Sequence, residues 1–296
     1  MGLLKDLQME ISKHSLHSGG WPSGNGKTAA IETTCYALMA LGGDQGLARQ
    51  NAIDLLLRTQ NSNGSWPAFE GDDPEGCWTT ALGMIALRYA QSSPTPLDKA
   101  LLWLLDNKGR EGHWLWKWKF RTVDRAVLFD PDKYGWSWFP GTVSWVIPTA
   151  ISLIALKQIA RATARIELGT EMLLDRTCPQ GGWNAGNGIV FGAPLTPHID
   201  ATAIALLAFP KAAEAAVMRG LSWLQQACIK CSSAYSLAWS VLAFSVHKDP
   251  TRDHCVEKLR TVLTSRTPIS NIETLSLAAI AINAAEGNAN PFQLVI

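Results

Sequence analysis

The sequence carries little net charge and has no apolar run long enough to cross a membrane. Its 296 residues include 26 basic and 25 acidic side chains, a formal net charge of +1, so we expect no basic stripe for a nucleic-acid backbone. The apolar run from Val143 to Leu156 is interrupted by Pro148 and is shorter than the roughly 20 residues of a spanning helix. We therefore expect neither a nucleic-acid partner nor a transmembrane protein.

Cysteine is too sparse for a disulfide-stapled secreted domain. Six cysteines are spread along the chain, and the segment from Met1 to Lys13 lacks the apolar stretch of a signal peptide. We therefore expect a cytoplasmic protein with reduced cysteines. Cys228 and Cys231 have a metal-like spacing but no second pair, and Glu70 to Glu75 lacks a full Asp-Asp-x-x-Asp pattern. The sequence predicts no metal site and no cofactor.

Tryptophan, in contrast, is abundant, with 13 copies against 4 tyrosines, and it marks a repeat. A glycine-containing turn that ends in tryptophan recurs at Trp21, Trp66, Trp114 and Trp183, each time after a helix-like segment. The intervals are 45, 48 and 69 residues, and omitting the segment from Leu115 to Gly141 brings the last interval into the forties. A period in the forties is typical of helical solenoids and rings.

Each turn is followed by a mostly apolar segment that opens with acidic or hydroxyl residues, as at Glu32, Thr79 and Asp200. Such residues satisfy free backbone N–H groups at a helix N-terminus. Weaker copies begin near Tyr235 and Glu273, which makes six repeats. The segments before the turns are amphipathic at helical spacing.

The pattern predicts one all-α domain over residues 1–296, an α/α barrel of about six helix-turn-helix repeats, an (α/α)6 toroid. Amphipathic outer helices surround apolar inner helices, which enclose one central cavity.

The segment from Ala52 to Trp66 resembles the QW repeat of the terpene cyclase and protein prenyltransferase superfamily. It carries Gln60, Gly64 and Trp66 at the family's spacing. The resemblance covers nearly the whole chain, is strongest in the first four repeats, and is closest to the ring domain of class II terpene cyclases such as squalene-hopene cyclase. It implies an isoprenoid-handling protein with an apolar cavity, in which the Gln stacks on the Trp and ties the outer helices together.

The resemblance also implies a catalytic acid. Class II cyclases protonate an alkene with the middle Asp of an Asp-x-Asp-Asp motif at the start of an inner helix, and here the matching segment runs from His198 to Ala201. Only the middle residue, Asp200, is retained. We therefore predict Asp200 as a general acid with His198 near it; the alternative is that Asp200 only caps its helix and His198 lies in a loop.

A cavity that holds a carbocation also needs electron-rich rings, because their quadrupoles stabilise positive charge. Five aromatic residues lie at or near inner-helix starts and are candidates for substrate binding: Tyr36, Trp78, Trp145, Tyr235 and Trp239. For each of them, packing in the core is the alternative.

The insertion at about residues 115–141 is the least repetitive segment and is rich in aromatic and basic residues. Loops of this length are usually functional. We predict that it contributes Arg121, Arg125, Trp136 and Trp138 to substrate binding. It could cover the cavity mouth, hold an anionic headgroup such as diphosphate, or rest on the inner face of a membrane; the alternative is a packed surface excursion.

Together these observations predict a compact, metal-independent class II terpene cyclase-like enzyme, an isomerase or lyase, that protonates and cyclises a polyprenoid or other apolar small molecule. Two alternatives stay open: a non-catalytic barrel that binds an isoprenoid, a lipid or a protein, and a protein resembling the prenyltransferase β-subunit.

Overall fold

The computed structural model describes residues 2–43, 46–124, 127–159, 163–211, 213–265 and 269–294. Six helices are apolar on nearly all sides: α2 (Ile31–Leu41), α4 (Thr79–Tyr89), α7 (Val146–Ile159), α9 (Ile199–Leu207), α11 (Ala234–Val246) and α13 (Ile272–Ala285). Six others bury one face: α1 (Leu3–Lys13), α3 (Leu47–Thr59), α5 (Pro94–Asp106), α8 (Ala164–Asp175), α10 (Ala215–Lys230) and α12 (Thr251–Leu263).

The apolar helices form a closed inner ring. They contact one another in the order α2, α4, α7, α9, α11 and α13, and α13 packs against α2 to close the circle. The amphipathic helices pack outside the ring, for example α12 against α11 and α13. The predicted all-α toroid of six helical repeats is confirmed, and among the described helices none combines the length and hydrophobicity needed to cross a bilayer.

Tryptophans join the outer layer to the inner ring through two hydrogen bonds that recur from repeat to repeat. The indole Nε1 of Trp66 donates to the carbonyl oxygen of Leu56 at 2.7 Å, near the end of outer helix α3. Its backbone N–H donates to Oγ1 of Thr80 at 2.9 Å, on inner helix α4. Trp21, Trp136 and Trp183 make the same pair of bonds. We call each such pair of hydrogen bonds a tie. Each tie satisfies buried polar groups and links an outer helix, the tryptophan turn and the following inner helix.

The third tie uses Trp136, and the prediction that Trp114 occupies this turn is wrong. Trp136 is 2% exposed and donates to Leu104 and Thr149, whereas Trp114 is 73% exposed at the start of helix α6 (Trp114–Thr122). The inserted excursion therefore lies between α5 and Gly135, ahead of the turn rather than after it. Trp136 is buried in this structural turn, and its predicted role in substrate binding has no exposed surface to support it.

The excursion also contains a short 3₁₀ helix, Arg110–Gly112, just before α6. It also pairs with a small hairpin of β1 (Ile189–Val190) and β2 (Ala193–Pro194), because Val127 forms an antiparallel bridge with Val190. The hairpin lies between Trp183, the tryptophan of the fourth tie, and α9. The excursion and this segment therefore meet on one side of the ring.

The C-terminal segment crosses the end of the ring where the inner helices finish. Nε2 of Gln158, near the end of α7, donates to the carbonyl oxygen of Pro291 at 2.7 Å. Phe292 is fully buried, and its ring lies 5.0 Å from the ring of Trp239 on α11. This segment therefore closes that end of the barrel.

Aromatic rings fill the axis of the ring at mid-depth, where the sequence predicts a cavity. Tyr36 on α2 and Trp239 on α11 are not on adjacent helices, yet their ring centroids are 5.9 Å apart. Trp239 has no exposed surface, so no space of water size adjoins it. The predicted hollow centre is therefore corrected to a packed one around Trp239.

Replacing Trp136 by Phe should lower the free energy of unfolding by about 2 kcal/mol, because the bond to Leu104 is lost and the smaller ring leaves a void. Replacing Trp114 by Ala should change it by less than about 0.5 kcal/mol, as expected at an exposed site. Urea denaturation of both variants measures the difference. Equal losses would contradict the assignment of Trp136 to the third turn.

Two glycines with left-handed backbone provide a second test of the turns. Gly64 has φ of 92° and a Cβ there would lie 2.4 Å from the carbonyl oxygen of Lys99, whereas Gly71 has φ of 79° and open space around it. Gly71→Ala should cost about 1 kcal/mol through backbone strain alone. Gly64→Ala should cost about 2 kcal/mol more, because the outer helix must move. Urea denaturation that gave the same loss for both would contradict the close approach.

Candidate functional site

The inner helices all begin at the same end of the ring, which we call the mouth. One outer helix separates each inner helix from the next along the chain, so the six inner helices run in the same direction. Polar side chains from three first turns are therefore gathered there: Glu32 on α2, Asp200 on α9 and Glu273 on α13. Each of these carboxyl groups is partly buried.

Glu32 and Glu273 form what we call the acid pair. Their helices are neighbours in the closed ring. Burial, followed by the negative charge of the nearby Glu273, raises the pKa of Glu32 to about 8. Burial also raises the pKa of Glu273. A carboxylic acid that keeps its proton at neutral pH is the species that can donate one.

Aromatic rings line the interior beside the acid pair. Tyr235 lies 6.4 Å from Trp239 between ring centroids, and Trp239 contacts Tyr36, so the three rings form one cluster below the mouth. Burial and then the charge of Glu32 raise the pKa of Tyr36, and burial and then the charge of Glu273 raise that of Tyr235. Both phenols are therefore neutral. Uncharged rings near a proton donor suit a cationic species better than an anionic one.

His198 and Asp200, both in the described part of the chain, make no ion pair or hydrogen bond with each other. Asp200 lies on α9, opposite α2 in the ring, and its charge makes a small contribution to the raised pKa of Tyr235, after burial and Glu273. His198 is the exposed N-cap residue of α9. Within the described part of the chain, no hydrogen bond joins the two side chains. The pairing of an acid with a supporting His therefore stays a prediction without a contact to support it.

His198 instead borders an open groove of about 400 Å³ between the starts of α7 and α9. Trp145, Asn184, Val190 and Leu195 are among its other walls. Trp145, one of the five aromatic residues predicted to bind substrate, therefore faces this groove on the hairpin side of the molecule.

Trp78 and Trp138 meet at the edge of the mouth. Their ring centroids lie 5.1 Å apart in an edge-to-face arrangement, and the backbone N–H of Trp78 donates to the carbonyl oxygen of Trp138 at 3.0 Å. Both side chains are partly exposed. This pair holds the loop after the third turn against the start of α4 and keeps two predicted residues available to a ligand.

Two basic residues of the excursion form ion pairs with an acidic residue of the same segment. Arg121 and Lys117 both pair with the exposed carboxylate of Asp132. These contacts lie on the outer surface, so the structure does not bring Arg121 to the acid pair. Arg125, the other predicted headgroup ligand, lies outside the described residues.

Metal chemistry finds no support in the part of the chain that the structure describes. No group of three or more His, Cys, Asp or Glu side chains there is arranged to hold an ion. Cys35 is fully buried, and burial followed by the charge of Glu32 raises the pKa of its thiol, so it is a poor metal ligand.

The sequence marks Glu32 and Glu273 only as acidic residues at the starts of helices. The signal available was an acidic residue in the first turn of both the first and the last inner helix. It could not be read as a pair, because 241 positions separate the two residues along the chain and only ring closure brings them together.

Comparison with solved structures supports the fold. The chain superposes on an α-amylase from Clostridium perfringens with a TM-score of 0.65 at 11% identity, covering 94% of this chain and 96% of that one. It superposes on the type II terpene cyclase MstE from Scytonema with a TM-score of 0.61 at 15% identity, covering 96% and 97%. The family 8 endoglucanase Cel10 from Klebsiella pneumoniae gives 0.57 at 11% identity, covering 95% and 99%.

No protein-family model matches the sequence, and a search of curated proteins gives no significant match. The solved structures show that the chain has the α/α-barrel fold. The same architecture carries carbohydrate-active and terpene-cyclising neighbours, so the fold alone does not decide between these chemistries.

The acid pair predicts a pH dependence of stability. The raised pKa of Glu32 means that the folded state keeps a proton which the unfolded state loses above pH 4.5. This stabilisation is fully present below pH 4.5 and is lost as pH rises towards 8. Glu32→Gln keeps the shape but cannot ionise. The variant should therefore gain about 2 kcal/mol of stability relative to the wild type between pH 5 and pH 8.

Urea denaturation at several pH values measures this difference. Glu10→Gln, at an exposed site on α1, is the matched control and should follow the wild type at every pH. Parallel pH profiles for Glu32→Gln and the wild type would contradict a protonated Glu32.

Proposed function

We propose that this protein is a metal-independent, class II terpene cyclase-like enzyme that protonates an alkene of an isoprenoid at the mouth, with Glu32 as the proton donor. The observation that carries the proposal is a neutral carboxylic acid, beside Glu273, next to a cluster of uncharged aromatic rings. Glu32 replaces Asp200 as the leading candidate acid because burial keeps its proton in place. The fold shared with MstE is consistent with this chemistry.

The reaction begins when the π electrons of the alkene take the Glu32 proton. A C–H bond forms, the O–H electrons stay on Glu32 as a carboxylate, and the neighbouring carbon becomes a cation.

The cation is then attacked by a second double bond of the same chain, which forms a C–C bond and a ring. Tyr235, the partly exposed ring of this cluster, stabilises positive charge at the mouth by about 0.5 to 2 kcal/mol where the charge meets its face. Loss of a proton from carbon ends the sequence, and reprotonation of Glu32 restores the donor. Asp200, on the opposite wall of the mouth, offers a second carboxyl group to this cation.

The packed centre limits what the substrate can do. Since Trp239 and Phe292 fill the axis, an isoprenoid cannot run through the ring, and only its reacting end enters the mouth. The remainder of the chain must then extend outward, past Trp78 and Trp138 or along the groove bordered by Trp145.

The test is incubation of the purified protein with polyprenols, polyprenyl diphosphates and squalene, followed by mass spectrometry for cyclised products. Glu32→Gln should lower turnover by at least about a hundredfold, the usual contribution of a general acid. Glu10→Gln should leave it unchanged. Loss of turnover in Asp200→Asn with full activity in Glu32→Gln would instead return the acid role to Asp200.

The alternative of a non-catalytic lipid-binding barrel predicts ligand binding by titration calorimetry without any product in the same panel. Because the fold is shared with an α-amylase and an endoglucanase, soluble starch and cello-oligosaccharides belong in the panel as well. Hydrolysis of a sugar polymer that depends on Glu32 would contradict isoprenoid chemistry.

A further inference from the structure

Two cysteines stand three residues apart at the end of outer helix α10. Cys228 lies in its last turn, and Cys231 directly follows Lys230, the last residue of the helix. The sequence shows this Cys-x-x-Cys spacing without the second pair that would complete a metal site, and the proposed chemistry does not use it. Both side chains are free thiols, as are the other four cysteines of the chain.

The backbone holds the two cysteines in a turn. The N–H of Cys231 donates to the carbonyl oxygen of Cys228 at 3.2 Å. A turn closed by such a bond keeps the Cα atoms of its first and last residues within about 7 Å of each other. A disulfide spans Cα separations of about 4.4 to 6.8 Å, so the two thiols can be joined with little movement of the backbone.

A lysine from the next outer helix holds this turn in place. Nζ of Lys258, on α12, donates to the carbonyl oxygens of Cys228 at 3.0 Å and of Ile229 at 2.7 Å. One helical turn before Lys258 lies Cys255, whose thiol is also buried. Three thiols and an ammonium group are therefore gathered between α10 and α12.

The surroundings make the two thiols of the turn unequal. The neighbouring Cys255 thiol, with a smaller contribution from the charge of Lys258, lowers the pKa of Cys228 against the opposing effect of burial. Because the thiolate is the form that attacks another sulfur, a lower pKa favours Cys228 as the attacking group. Cys231 is 8% exposed, whereas Cys228 and Cys255 have no exposed surface. Cys231 is therefore the thiol of this cluster that a small molecule in solution meets first.

The turn lies at the mouth. It joins the end of α10 to inner helix α11, which begins at Ala234, and the inner helices begin at the mouth. Burial is the main cause of a raised pKa at the thiol of Cys231, and the charge of Asp200 is a minor one. The exposed thiol is thus on the same side of the ring as the carboxyl group of Asp200.

We propose that Cys228 and Cys231 form a redox-active dithiol that a hydroperoxide converts to an intramolecular disulfide. The sulfur of Cys231 attacks the terminal oxygen of the hydroperoxide, ROOH. The O–O bond breaks, Cys231 becomes a sulfenic acid, and the leaving oxygen takes the thiol proton to give an alcohol, ROH.

The sulfur of Cys228 then attacks the sulfenic sulfur of Cys231. The S–S bond forms, the S–O bond breaks, and the hydroxyl group leaves as water with the proton of Cys228. Two thiols are oxidised by two electrons in total, and one hydroperoxide is reduced. This inference goes beyond the proposed function and does not depend on it.

Oxidation of the fully reduced, folded protein with hydrogen peroxide, followed by alkylation of the remaining thiols in denaturant and digestion with trypsin, tests the proposal. Because trypsin cleaves after Lys230, the disulfide joins two separate peptides, 220–230 and 231–248. We expect this linked pair to form, to disappear on treatment with dithiothreitol, and to leave the other four cysteines alkylated. Cys231→Ser should lower the yield of disulfide by at least about tenfold, because the sulfur that is oxidised first is removed.

The matched control is Cys178→Ser, which removes a cysteine that is 2% exposed and lies near the Trp183 turn, and which should give the linked pair as the wild type does. Thermal melting establishes that each variant is folded. A disulfide between peptides 220–230 and 253–258 would overturn the proposal, since Cys228 would then pair with Cys255. So would six reduced thiols after peroxide treatment of the folded wild type, or a linked pair that forms only in urea.

Discussion

The tie between tryptophan, an outer helix and an inner helix is the interaction on which the rest of the structure depends. In each of four repeats one indole N–H bonds to the carbonyl of the preceding helix, and the backbone N–H of the same residue bonds to a threonine of the following inner helix. The tie sets the position of the inner-helix start relative to the outer layer. Because that relation repeats, the inner helices close into a ring with all their N-termini at one end.

Gathering six helix starts has an electrostatic consequence. Each N-terminus carries partial positive charge and favours an acidic residue in its first turn. In an isolated helix such residues would be solvated and ionised. Here Glu32 and Glu273 come from adjacent helices and share a partly buried space, so burial and mutual repulsion raise the pKa of Glu32 to about 8. An acidic residue of the kind that begins an ordinary helix thereby becomes a carboxylic acid with a raised pKa.

The packing of aromatic rings along the axis determines the surroundings of the acid pair. Tyr36, Trp239 and Phe292 fill the middle of the ring from three distant parts of the sequence. Compared with a hollow toroid, such a barrel offers a shallow site with an aromatic floor. The excursion with α6 lies outside the inner ring, whose six helices contact one another in a closed order.

The sequence by itself determined the all-helical class, the number of repeats, and which segments face inward, since these follow from local hydrophobic periodicity and from turn residues spaced at a regular interval. It also marked Tyr36, Tyr235 and Trp239 as residues of the interior. The local pattern placed the third turn at Trp114, because Trp114 and Trp136 both follow closely after a glycine. Only burial distinguishes the tryptophan that joins the two helix layers, Trp136, from the one that faces solvent, Trp114. Tertiary structure alone decided the acid pair and the filled axis. Both depend on contacts between the first and last repeats, and no local pattern records which side chains meet when a ring closes.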